Sequence, residues 1–98
     1  MTLKQLSRKE QWKVAGKILK AVRKARKITQ VQLSEATGML QSTISSIESG
    51  KRGIPNDNLD KLAKALRVPE ATLIAPNVIE EVEYKNFVPR RLEELLRA

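Results

Sequence analysis

Apolar positions in the first quarter of the chain recur at intervals of three, four and seven. Trp12, Ala15, Ile18, Leu19, Val22 and Ala25 fall on one side of a helical projection, which predicts an amphipathic helix from about Arg8 to about Arg26. Ser7 and Glu10 stand three apart just before it, the spacing at which a hydroxyl and a carboxylate satisfy the first free N–H groups of a helix. Lys13, Lys17, Lys20, Lys24 and Lys27 line the opposite side as one stripe. Thr29 and Gln32 repeat the capping spacing and start a second helix, with Val31, Leu33 and Ala36 expected on its buried side. That helix stops at Gly38, a residue suited to a left-handed cap. A third helix is expected from about Gln41 to about Ser49, stopping at Gly50. Ile44 and Ile47 face its inner side and Gln41, Ser42, Ser45 and Ser46 its outer side.

Pro55-Asn56-Asp57 reads as a turn and cap for a fourth helix carried by Leu59, Leu62, Ala63 and Leu66. Pro69 opens a short fifth helix with Leu73 and Ile74 as its apolar contribution. Pro76-Asn77 reads as a linker, and a last amphipathic turn or two is expected over residues 89–97. The expected fold is all-α: a five-helix domain over residues 1–76 and a short C-terminal extension over 77–98, a candidate dimerisation or partner-binding segment. Its last nine-residue helix is too short to stand free in water and has to dock.

Composition narrows the chemistry. The 98 residues contain neither cysteine nor histidine, so thiolate and imidazole ligands are lacking for a zinc site and imidazole is lacking for a catalytic triad. The remaining acids, lysines and Tyr84 form no cluster at productive spacing, and the glycines form no phosphate loop. The expectation is a protein with no catalytic residues, no metal and no cofactor. No apolar run approaches a membrane span, and the absence of cysteine fits a cytoplasmic location. The net charge of +8 is unevenly spread. Residues 1–27 hold ten lysines and arginines against a single acid, Glu10, while the remaining 71 residues carry nine against ten. A salt-screened positive field of this kind attracts polyanions, with nucleic acid the leading candidate. The lysine stripe itself reads equally as a solvated face and as a source of that field.

Several spaced motifs agree in order and distance: Thr29-Gln30-x-x-Leu33-Ser34, Gly38, Gln41-Ser42-Thr43-Ile44-Ser45, Ile47-Glu48-Ser49-Gly50-Lys51-Arg52 and Leu62-Ala63-Lys64-Ala65-Leu66. Through them the span from Val14 to about Asn77 resembles the DNA-binding domain of the Cro/phage-repressor (XRE-type) helix-turn-helix family. The resemblance implies a third helix lying in the major groove of double-stranded DNA. It implies that Gln41, Ser42, Ser45 and Ser46 face base edges, with Gln41 able to pair bidentately with adenine. Thr29 and Gln30 at the head of helix 2, together with Thr43, Ser49, Lys51 and Arg52, would contact phosphates. Arg23 and Glu48 fall where the family often has a structural ion pair.

Three features depart from the family pattern. Leu40 stands where a hydroxyl usually caps the third helix, and would instead meet a thymine methyl. Arg67 stands where glycine commonly ends the fourth helix. The base-facing positions carry no Arg or Lys. The resemblance points to a transcriptional regulator, a repressor binding a palindromic operator as a homodimer. The alternatives are an antitoxin that binds a toxin protein and autoregulates its operon, and a restriction–modification controller.

Overall fold

The computed structural model of the chain describes residues 3–75 and 78–80. Five helices follow one another: α1 (Arg8–Ala25), α2 (Gln30–Thr37), α3 (Gln41–Glu48), α4 (Asn56–Leu66) and α5 (Glu70–Leu73). The expected all-α, five-helix domain is formed. To it is added a small ribbon in which β1 (Leu3–Gln5) pairs antiparallel with β2 (Val78–Glu80), Leu3 opposite Glu80 and Gln5 opposite Val78. Strand β2 lies beyond the expected boundary at 76–77, so the first described residues of the extension are tied to the segment that leads into α1. The linker at Pro76-Asn77 and the last helix expected over 89–97 lie outside the described residues.

Local chemistry starts and stops the helices. Ser7 Oγ accepts from the N–H of Glu10, while the Ser7 N–H donates to Glu10 Oε1. Thr29 and Gln32 form the same reciprocal pair at the head of α2, at 3.1 and 2.9 Å. Gly38 takes φ +76° at the end of α2 and donates its N–H to Ser34 O. Of the expected turn and cap Pro55-Asn56-Asp57, Pro55 holds the capping position and contributes no side-chain bond. Asn56 and Asp57 therefore fall inside the first turn, where the Asp57 carboxylate meets the positive end of the helix dipole instead. Arg67 does end α4 in the left-handed region, at φ 57° and ψ 48°. Arg26 Nε and Nη2 donate to the carbonyls of Leu66 and Arg67 at 3.0 Å each, supplying partners to the orphan carbonyls of that helix end.

The core sits where α1, α2, α3 and α4 converge. Leu19, Val22, Leu33, Ile44, Ile47, Leu62 and Leu66 are fully buried, and α5 adds Leu73. Four residues expected on buried faces point to solvent: Ala25, Val31, Ala36 and Ile74. Val31 lies about 160° around α2 from Leu33 at 100° per residue, so the two cannot share a face. Thr37, one turn on from Leu33, takes that place, with Oγ1 donating to Leu33 O and accepting from the N–H of Met39. In α5 the inward partner of Leu73 is Thr72 rather than Ile74. Trp12 is half-buried, its indole against Gly53 in the loop before α4.

Candidate nucleic-acid interface

Helices α2 and α3 are joined by a turn that α2's own side chains clamp. Ser34 Oγ donates to Met39 O, Thr37 Oγ1 accepts from the N–H of Met39, and the Met39 side chain is buried. Leu33 of α2 and Ile44 and Ile47 of α3 are completely covered, so the two short helices share one apolar seam. With Ile44, Ile47 and Glu48 inward, α3 turns a polar face outward. Gln41, Ser42, Ser45 and Ser49 are exposed, and Thr43 and Ser46 are half-buried. Every one of these side chains is uncharged and short enough to let the helix approach another surface closely. Leu40 precedes them, 71 % exposed, and caps nothing.

The orientation of α3 rests on a buried ionic network. Arg23 Nε and Nη2 donate to Glu48 Oε2 and Oε1 at 2.6 and 3.0 Å, a bidentate fork with little water access. Arg23 Nη1 donates to Ile28 O at 2.9 Å. The hydrogen bond to Glu48 raises the guanidinium pKa above its ordinary value, against the opposing effect of burial. The ion pair foreseen between Arg23 and Glu48 is therefore present, and it carries a third member that the sequence does not reveal. Gln30 Nε2 donates to Glu48 Oε1 at 3.1 Å, so the amide nitrogen expected to anchor phosphate is turned inward. With the N–H of Gln32 taken by Thr29 Oγ1, the backbone donors left in the first turn of α2 are the N–H groups of Gln30 and Val31, which suit an anion.

The remaining expected phosphate contacts fall into two places. Thr29 and Gln30 sit at the head of α2. Ser49, Lys51 and Arg52 sit just past the end of α3, with Lys51 and Arg52 exposed. Ser49 Oγ donates to Ser46 O at 3.0 Å, so its hydroxyl hydrogen is occupied. Thr43, half-buried, lies in the first turn of α3, apart from both.

Gly16 was not singled out by the sequence, yet it sets the distance between α1 and α3. A Cβ placed there would lie 2.3 Å from Ile47 O and 2.9 Å from Glu48 O. A glycine inside an otherwise helical pattern is the available signal of such a close approach. Among the described residues, no group of three or more acidic side chains is gathered as a metal site, and no helix is long and apolar enough to cross a membrane.

Two short helices joined by a clamped turn, the second presenting a polar face, define a helix-turn-helix unit. Residues 19–73 match the helix-turn-helix family, and the chain belongs to that family, in its Cro/phage-repressor (XRE) branch. It is similar to the HTH-type transcriptional repressor RghR of Bacillus subtilis (strain 168), 44% identical over 69 residues, which cover 68% of this chain and 51% of that protein. It is also similar to the immunity repressor protein of Bacillus phage phi105, 30% identical over 87 residues, covering 82% of this chain and 60% of that protein. The chain spans about half the length of the curated relatives it matches. Among solved structures it is similar to the restriction-modification controller protein C.AhdI from Aeromonas hydrophila. That likeness has a TM-score of 0.62 at 28% identity and covers 64% of this chain and 96% of that one.

Proposed function

We propose that this chain is a sequence-specific, DNA-binding transcriptional repressor that works in the cytoplasm as a homodimer on a palindromic operator. The observation that carries the reading is the exposed, uncharged polar face of α3, held in place by the buried Arg23–Glu48–Gln30 network. Such a face enters the major groove without a charge to desolvate. Gln41 then reads adenine through its amide, Ser42, Ser45 and Ser46 bond neighbouring edges, and Leu40 touches a thymine methyl. The head of α2 and the Lys51–Arg52 loop fix the register on phosphates. One α3 reads only a few base pairs. A twofold pair of them reads half-sites about 34–36 Å apart, one turn of duplex. Occupancy of that site excludes polymerase, and no chemical step is required of the protein. The names of RghR and the phage immunity repressor support the repressor reading.

The likeness to C.AhdI favours a second reading, a controller of restriction–modification genes, which uses the same surface and differs in the gene regulated. Selection from a random duplex pool at about 0.15 M salt, where the screening length is about 8 Å, tests the proposal. A palindromic consensus is the expected result. Binding without enrichment of any sequence overturns it, and co-purification of a small second protein would then bring forward the antitoxin reading, with a toxin as partner.

A further inference from the structure

Helix α1 has a second face that the operator contact does not use. Lys13, Lys17, Lys20, Lys24 and Lys27 are all exposed, and none has an ion-pair partner among the described residues. The one acid of α1, Glu10, lies in its first turn and is engaged in the capping box. Helix α4 shows what a neutralised solvent face looks like, with Asp60 and Lys64 paired at 3.2 Å. The α1 stripe has no such compensation, so its charges add along the helix.

The dimensions and the ends of the stripe indicate its occupant. Within α1, from Lys13 to Lys24, it runs about 17 Å at 1.5 Å per residue, with a charge about every 5–6 Å, and Lys27 follows just past the helix end at φ 58°. Measured along its axis, a duplex passes about five phosphates of one strand in that length. Lys13 lies against Gly50, where an added Cβ would meet its Cγ at 2.9 Å, immediately before Lys51 and Arg52. Lys27 stands two residues before Thr29, the cap of α2. Each end of the stripe therefore abuts one of the two candidate phosphate clusters. At 100° per residue the centre of Lys13, Lys17, Lys20 and Lys24 lies about 70° around α1 from Gly16, the position pressed against the end of α3. The stripe thus faces away from the core and borders the α3 side of α1, where Lys13 meets Gly50.

We infer that the α1 lysine stripe is a second, sequence-independent phosphate-binding ridge, which takes the backbone of the same duplex where it runs on past the operator. The inference rests on the DNA-binding reading of α3 and gives the protein a footprint wider than its recognition sequence. The test uses the triple variant Lys17→Gln, Lys20→Gln, Lys24→Gln, whose changes lie on the exposed face, with an unchanged unfolding transition as the check on folding. The probe is the duplex that wild-type protein enriches from a random pool, in two lengths: cut at the ends of the consensus, and extended by about ten base pairs on each side. On the extended duplex the slope of log affinity against log salt should fall by about 2.7 for three lost contacts, and on the trimmed duplex it should not change. Equal losses on both lengths overturn the inference, because a long-range field needs no flanking DNA. No loss on either overturns it too and leaves the stripe to an acidic protein partner. If wild-type protein enriches no sequence, the operator reading fails by itself. The ridge is then measured on a random duplex of about 40 base pairs, where an unchanged slope overturns it.

Discussion

Replacing Glu48 with alanine removes both oxygens to which Arg23 donates, at 2.6 and 3.0 Å, and the acceptor of the Gln30 amide. Arg23 keeps only its bond to Ile28 O. Its side chain is 10% exposed, so the guanidinium cannot regain water unless α1 moves. Breaking a buried pair in this way costs about 3–5 kcal/mol. A chain of 98 residues has about 5–15 kcal/mol in total at about 0.05–0.15 kcal/mol per residue, so the loss is a large share. At about 4–8 °C per kcal/mol, the midpoint of thermal unfolding should drop by more than about 10 °C. The companion is Arg23→Met with Glu48→Leu, which leaves no buried charge and should recover most of the stability. Its operator affinity should stay low, because the Gln30 amide still lacks its partner. A loss below about 1 kcal/mol for Glu48→Ala, or a double variant no more stable than the single, would refute the reasoning. The folded state raises the Arg23 pKa above its ordinary value, so the contribution of that shift is full below that ordinary, strongly basic value and is lost only as pH rises through the folded one. Between pH 6 and 9 that contribution should not vary.

Gly16→Ala should lose about 1–3 kcal/mol in urea unfolding, because the new methyl meets backbone oxygens of Ile47 and Glu48 that cannot rotate aside, and this exceeds the helix-propensity gain of up to about 1 kcal/mol. A more stable variant would contradict the close approach of α1 to α3. Leu40→Ser supplies the missing cap of α3 and should gain about 1 kcal/mol, read as a higher midpoint by about 4–8 °C, while changing base preference at one position. Gln41→Ala should weaken specific binding by about 1–3 kcal/mol and relax preference at one base pair. An unchanged consensus for the variant removes Gln41 from the readout. Lys51→Ala should weaken all duplexes alike and lower the salt slope by about 0.9, whereas a loss confined to one sequence argues against a phosphate role.

The features that the sequence by itself determined are those whose cause lies within about four residues. Ser7 with Glu10, Thr29 with Gln32, and Gly38 at the end of α2 are local caps, and each is formed as written. Helix α1 shows its face because 18 residues give the 3.6-residue period five turns in which to emerge. The outward set on α3 was legible for another reason: Ile44 and Ile47 mark the buried side, and the spaced motifs of the family fix which helix it is. The pairing of Arg23 with Glu48 came from that family spacing, since nothing local joins residues 25 apart.

Tertiary structure decided the rest. Eight residues in α2 and four in α5 make too few turns for periodicity to choose a face, so Val31, Ala36 and Ile74 turned outward and Thr37 and Thr72 took the inner places. The β1–β2 ribbon joins three-residue segments from opposite ends of the described chain, too short for alternation to register. The inward turn of Gln30 toward Glu48, 18 residues away, and the contact of Gly16 with the end of α3 exist only once α1, α2 and α3 have come together. Short-range hydrogen bonding is written residue by residue in the chain, whereas the choice of buried face and of distant polar partner is made by whichever assembly of the helices excludes the most water while leaving few polar groups unpaired.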